Sequence, residues 1–299
     1  MFPLELNIVV IRFYKRVVAK IKTIEGWSKD IKCNIGVKKG CPLSPTIFGI
    51  YIDKLEECLG IARCKGADLT DIIISLLLYV DDIVLLARSH EDLDKQLQTL
   101  HDYFSKMGMT VNTNTTKIMI IKSKKISHGN FVYDDNCLEQ VSSFKYLGIG
   151  IPYHLNWNYK IEKRIISGWK AYYVLENYCK AIDLCIWSKK RFLFETLVTP
   201  IVLYGCEVWG CNISEESWRK IEMIQYKFIT YNLKIKRNTP YPILLIEAGL
   251  SPIESMAMFK YLMYKKKLYN MESKRLPKIA FNFSQNPHLH LKRGWHKDS

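Results

Sequence analysis

Residues 72–87 read IIISLLLYVDDIVLLA, two apolar, β-rich runs joined by Asp81 and Asp82. Runs of this length, rich in β-branched and aromatic residues, read as strands, and an acidic pair between them reads as the turn of a hairpin. Two neighbouring carboxylates repel each other and raise each other's pKa unless a cation sits between them. Paired Mg²⁺ ions play that part in phosphoryl transfer. A solvated Asp-Asp turn is the other reading of the dipeptide taken alone.

Working outward, GVKKGCPLSP spans Gly36 to Pro45. Gly40 and Pro42 bend the backbone there, and Ser44 followed by Pro45 reads as an N-cap and first helical residue. The helix they open is expected to reach about Leu59, with Ile47, Ile50, Tyr51, Leu55 and Leu59 on one stripe. After the hairpin, Ser89 and Asp92 form a capping box for a helix whose apolar face is Leu93, Leu97, Leu100, Phe104 and Met107, ended by Gly108. Short strands are expected at 110–111, 116–122 and 132–133, and Phe144 to Ile151 is an apolar strand segment. Alternating strands and helices to residue 151 make an α+β layout. The N-terminal stretch, about Pro3 to Ile24, reads as an amphipathic helix and not as a signal peptide.

Beyond Pro152 the pattern turns helical, with spans expected near 157–179, 189–209, 214–235 and 251–269. The last would start with Ser251 as N-cap, Pro252 at the first helical position and Glu254 two further on. The charge follows this change: of a net +15, residues 1–150 carry +3 and residues 151–299 carry +12. A basic excess confined to one half points to a polyanionic partner, nucleic acid first. The composition excludes a disordered acidic tail or a collagen-like chain. Nine cysteines without a CxxC pair argue against a disulfide framework and for a reducing, intracellular compartment, nuclear or cytoplasmic. His288, His290 and His296 lack the further ligands of a zinc site. No run is long enough to span a membrane.

Together these segments resemble the reverse transcriptases of non-LTR, LINE-type retrotransposons. Gly36–Pro45 is similar to the family's motif B, Tyr79–Asp82 to motif C (usually YADD), Met107–Met119 to motif D and Phe144–Ile151 to motif E. Thr199–Gly210, TPIVLYGCEVWG, is similar to sequence downstream of these polymerase domains. The resemblance extends to about residue 270. It implies a partial polymerase palm over residues 1–151, an antiparallel sheet with packed helices. A helical thumb or connection region would follow over 152–270, and a basic, poorly ordered tail over 271–299. It implies template-directed DNA synthesis on RNA by a nucleotidyltransferase using Mg²⁺ or Mn²⁺. The partners implied are an RNA template, a DNA primer, their RNA–DNA hybrid and deoxynucleotide triphosphates. Asp81 would be the principal catalytic and metal-ligating carboxylate, with Asp82 beside it. Lys39, Gly40, Cys41, Pro42, Leu43, Ser44 and Tyr79 would lie against nucleotide and template. Phe144, Tyr146, Leu147 and Gly148 would form the primer grip. Arg164, Lys170, Lys189, Lys190, Arg191, Lys227, Lys234, Lys236 and Arg237 would run along duplex phosphates, while Trp157, Tyr159, Trp169, Tyr172 and Tyr173 belong to core stripes.

The pattern departs from the family in three places. The carboxylates before Gly36 are Glu5, Glu25 and Asp30, none in a motif A arrangement, and the fingers are absent. Lys39 stands where the family has glutamine. Thr115 stands at the motif D lysine, a candidate proton donor, leaving Lys117 as a possible substitute. The expectation is a truncated element whose polymerase activity is lost, with a non-catalytic nucleic-acid-binding remnant as the alternative.

Overall fold

The computed structural model describes residues 12, 17–33, 36–121, 130–236 and 238–285, with the side chains of residues 158–160 set aside. It is a mixed helix-and-strand structure whose strands pair two by two, all but one of the pairings whose register is defined being antiparallel. The chain divides into two compact units. Residues 1–111 and 132–135 form the first, and residues 112–131 and 136–299 the second. The composition shift at residue 152 falls inside the second unit.

In the first unit, residues 17–24 are not the end of a helix. Val18–Ala19 pairs with Ile31–Lys32, and Lys22–Thr23 with Gly26–Trp27, in antiparallel register. The β-branched residues Val17, Val18, Ile21 and Thr23 favour the extended chain, which reverses at Ile24 and Glu25 with Gly26 opposite Thr23. Apart from residue 12, which is helical, the rest of the expected first helix lies outside the described residues.

The single helix expected over 44–59 is two: α1 (Ser44–Tyr51) and α2 (Leu55–Ile61). The tighter bonds Asp53 N–H to Ile50 O and Leu55 N–H to Ile52 O mark the break. The break buries Ile52, Leu55 and Leu59 almost completely while Ile50 and Tyr51 stay exposed. Full burial of each such side chain is worth about 1.5–3 kcal/mol. Helix α3 (His90–Lys106) supplies the opposing face with Leu97, Leu100, Tyr103 and Phe104. Its start is as expected, the Ser89 hydroxyl accepting from the Asp92 N–H at 3.1 Å. Its end is a Schellman closure, Met109 N–H donating to Phe104 O at 2.9 Å. The Tyr51 hydroxyl donates to Met107 O and the Tyr103 hydroxyl to Tyr51 O, tying α1 to α3.

The second unit is a helical core with two small strand pairs. Helix α4 (Asn158–Ala181) faces Phe194, Val198 and Val202 and the Ile221, Ile224 and Phe228 row of α8 (Glu215–Asn232). Phe194 and Phe228 stack with centroids 4.2 Å apart, and Trp187 stacks on Phe228 at 5.3 Å. The segment expected as one helix over 189–209 is broken into α5 (Trp187–Leu193), a π turn (Phe194–Val198), α6 (Thr199–Val202) and α7 (Cys206–Trp209). Pro200 cannot donate to the preceding turn, which explains the widened spacing. Helices α9 (Tyr241–Ala248) and α10 (Ile253–Tyr269) follow, then α11 (Leu276–Ser284), a helix within the stretch expected to be a tail. The three tail histidines lie outside the described residues.

None of the nine cysteines is in a disulfide; Cys206 is fully buried and Cys185 exposed. Among the described residues no single helix is long and apolar enough to cross a membrane.

Candidate functional site

In the first unit, Leu76–Tyr79 pairs with Asp82–Leu85 in antiparallel register, Tyr79 opposite Asp82, so Val80 and Asp81 are the two turn residues. The expected strand 72–80 is interrupted at Ser75, and its first part, Ile72–Ile74, turns back onto Ala67–Leu69. Tyr79, Val80, Asp81 and Asp82 are all exposed. Val80 takes φ 55°, a left-handed conformation unusual for a β-branched residue. Two adjacent carboxylates are hard oxygen donors that suit Mg²⁺ or Mn²⁺, and Mg²⁺ commonly binds through one or two carboxylates with waters and phosphates completing the shell. The pair therefore fits such an ion in chemistry. Among the described residues no third His, Cys, Asp or Glu gathers with them.

The loop before α1 is built by its own hydrogen bonds. Cys41 N–H donates to Lys38 O at 3.2 Å and Ser44 N–H to Cys41 O at 3.1 Å. Gly40 sits at φ 82°. Ser44 is not the N-cap: Leu43 holds that position, and no side chain caps the helix. The buried Ser44 hydroxyl instead donates to Lys38 O at 2.6 Å, closing the loop on itself. Lys39, Gly40, Pro42 and Leu43 are left exposed, with Cys41 half-buried.

In the second unit, Phe144–Ile151 is a hairpin and not one strand. Ser143–Tyr146 pairs with Ile149–Pro152, Phe144 opposite Ile151 and Tyr146 opposite Ile149. Phe144 and Tyr146 thus share one sheet face and Lys145 the other. Both turn residues are left-handed, Leu147 at φ 47° and Gly148 at φ 80°, as a two-residue type I′ turn requires. The Tyr204 hydroxyl donates to Leu147 O at 2.8 Å. Arg164 donates to Gly148 O at 3.2 Å and to Ile201 O at 3.4 Å, with its guanidinium 5.1 Å from the Tyr204 ring centroid. Burial pulls the Arg164 pKa below its usual value, while the Tyr204 phenol acts in the opposite direction. Sequence patterns pointed to Arg164 as a phosphate contact and left Tyr204 without a role. No local signal distinguishes a guanidinium bound to carbonyls from one that faces solvent.

Lys117 lies on Lys117–Ile118, the strand parallel to Glu139–Gln140, and its ammonium is 2.6 Å from the Glu139 carboxylate. The basic residues expected along a duplex sort into two groups. Lys170, Lys189, Lys234 and Lys236 are exposed. Lys190 donates to Asn232 at 2.8 Å and Arg191 pairs with Glu195 at 3.7 Å. Arg237 lies outside the described residues. Of the aromatic stripe, Tyr172 is buried, Trp157 and Trp169 pack against the core, and Tyr173 is exposed. The Tyr159 side chain lies outside those described.

Comparison with known proteins gives a consistent neighbourhood. Residues 4–151 match the family model described as reverse transcriptase, RNA-dependent DNA polymerase. A transposon-derived protein of Caenorhabditis elegans is 31% identical over 154 residues, covering 50% of this chain and 52% of that protein. A retrovirus-related Pol polyprotein from the type-1 retrotransposable element R2 of Popillia japonica is 29% identical over 162 residues, 48% of this chain and 27% of that one. The Pol polyprotein from the type-2 element R2DM of Drosophila melanogaster is 28% identical over 135 residues, 42% and 13% of the two chains. The matches thus span about half of the first relative's length and less of the others.

Proposed function

Because residues 4–151 match the reverse transcriptase family and are similar to the Pol polyproteins of R2 retrotransposable elements, we propose that this chain is part of a non-LTR reverse transcriptase and engages an RNA template and its DNA primer as a partial palm followed by a helical thumb. The observation that carries the reading is the two-residue hairpin turn that presents Asp81 and Asp82 side by side between apolar strands. Asp81 is the principal metal-ligating carboxylate and Asp82 its acidic neighbour. When bound, Mg²⁺ or Mn²⁺ supplies charge neutralisation at phosphoryl oxygens and activation of a 3′ hydroxyl. Lys39, Gly40, Cys41, Pro42, Leu43, Ser44 and Tyr79 form the nucleotide and template side; the closed loop keeps the first of these in one conformation. Phe144, Tyr146, Leu147 and Gly148 hold the primer end. Lys117, neutralised by Glu139, would donate a proton to departing pyrophosphate only after that pair opens.

Isolated, the chain binds a primer–template without extending it, since among the described residues no further carboxylate gathers with Asp81 and Asp82 to hold a pair of metal ions. Primer extension on an RNA template with deoxynucleotide triphosphates and Mg²⁺ or Mn²⁺ is expected to give no product. Incorporation that disappears in Asp81→Asn would sink the inactivity. Affinity for an RNA–DNA hybrid is expected to fall steeply with salt as counterions are released by the exposed lysines. Binding indifferent to ionic strength would overturn the nucleic-acid reading.

A further inference from the structure

We propose that Tyr204 and Arg164 are positioning residues that set the Leu147–Gly148 turn, and through it the place of the primer 3′ end. The proposal rests on the reading of the 143–152 hairpin as the primer grip, and three observations carry it.

The turn is intrinsically strained at Leu147. A two-residue type I′ turn favours Asn-Gly because both positions need φ above zero, a conformation that the leucine side chain at φ 47° disfavours. Something outside the hairpin must hold it. Both turn carbonyls are engaged by side chains from distant sequence: Leu147 O by the Tyr204 hydroxyl at 2.8 Å and Gly148 O by Arg164 at 3.2 Å. The fit is also steric. A Cβ on Gly148 would lie 2.9 Å from the Tyr204 ring, so the ring occupies the space that glycine leaves.

The two side chains hold each other as well. The Arg164 guanidinium lies over the Tyr204 ring and also binds Ile201 O, in the α6 turn just before Tyr204. The clamp thereby joins α4 and the 199–204 segment to the tip of the hairpin. Phe144 and Tyr146, on the strand leading into that tip, move with it. Positioning of a reacting end within about 1 Å decides rates by orders of magnitude, so a residue that fixes the tip acts without touching primer.

The test uses the full chain with Tyr204→Phe, which keeps the ring and removes the hydroxyl, and Arg164→Lys, which keeps charge and loses the two-carbonyl grip. Hydrogen exchange of residues 146–150 is read first. Both variants should exchange about tenfold faster there, the effect of one lost hydrogen bond, with far-UV circular dichroism unchanged. A second arm places 2-aminopurine at the primer 3′ terminus of an RNA–DNA hybrid. Wild type should change its fluorescence on binding. Both variants should lose at least about half of that change, with the hybrid affinity of Tyr204→Phe held within about twofold because phosphate contacts elsewhere supply it.

Unchanged exchange in both variants overturns the clamp. Faster exchange with the wild-type fluorescence response intact overturns the positioning role. A wild-type response no different for 2-aminopurine at the 3′ end than at mid-duplex overturns the primer-grip reading itself, a failure visible without any variant.

Discussion

The Ser44 hydroxyl donates to the Lys38 carbonyl at 2.6 Å, across six residues, and so closes the loop that enters α1. A serine followed by proline at a helix start ordinarily accepts from a helical N–H. Here the residue is already inside the helix and buried, and its hydroxyl acts as donor. Ser44→Ala is expected to lower stability by about 1–2 kcal/mol, the cost of a lost hydrogen bond at a part-buried site. Ser44→Asp separates the two roles. As an N-cap aspartate would be neutral; facing a carbonyl it has no proton to give, and denaturant unfolding should show it less stable than the alanine variant.

Val80 occupies a left-handed position at the turn that carries the aspartates. A β-branched side chain is poorly accommodated there, at a cost of about 1–3 kcal/mol. Val80→Gly removes that strain but adds backbone freedom to the unfolded chain, worth about 0.5–1 kcal/mol. Thermal unfolding should therefore show a net gain on the order of 1 kcal/mol. A lower melting temperature for the glycine variant would mean that the turn is not strained.

Helix α10 is capped from a distance. Its Glu254 N–H donates to the Glu222 carboxylate of α8 at 2.9 Å, and that carboxylate also accepts from the Tyr241 hydroxyl. Ser251, expected as the local cap, instead offers its carbonyl to Gln225 at 3.1 Å, while Pro252 is the cap residue. Ser251→Ala should leave stability within about 0.5 kcal/mol, as at an ordinary surface site. Glu222→Ala should cost about 1–3 kcal/mol, since it leaves the Glu254 N–H at the helix end without its acceptor and the Tyr241 hydroxyl with Gln225 Oε1 alone. Equal effects of the two variants in urea titrations would refute distant capping.

Alkali should unfold the second unit in a defined window. Burial pushes the Cys206 thiol up to about 11 from an ordinary 9.0, with the Glu207 charge adding to it. Burial, then the hydrogen bond to Glu222, also raises the Tyr241 pKa. A group whose folded pKa is raised contributes stability that is fully present below its unfolded pKa and is lost as pH rises through the folded value. The urea midpoint should be flat between about pH 7 and 8 and fall from about 9 toward 11. In Cys206→Val, part of that fall should disappear. An unchanged slope would show that the thiol does not contribute.

Much of the fold was legible because local chemistry settled it. Ser89 with Asp92 begins α3, Gly108 ends it, and the apolar runs around Asp81 and Asp82 form the hairpin their β-rich composition implies. The segments proposed for the site stand out in the same way, since loop 36–45, the aspartates and 144–148 each carry their motif within a few residues. Basic residues were less so. Lys190 and Arg164 look like Lys170 and Lys189 in sequence, and only packing reveals that the first two are bound to protein groups.

Sequence by itself determined the likeness to reverse transcriptases, the acidic turn and the succession of strands and then helices, because each depends on contacts or patterns within a few residues. Tertiary structure alone decided what the polar groups do. It broke α1 from α2 to bury Ile52, moved the Ser44 hydroxyl from cap to loop closure, and brought Glu222 to the start of α10. It also set Tyr204 and Arg164 against the Leu147–Gly148 turn. A hydrogen bond between residues tens of positions apart depends on where the packed core places its two ends, and no local pattern records that distance.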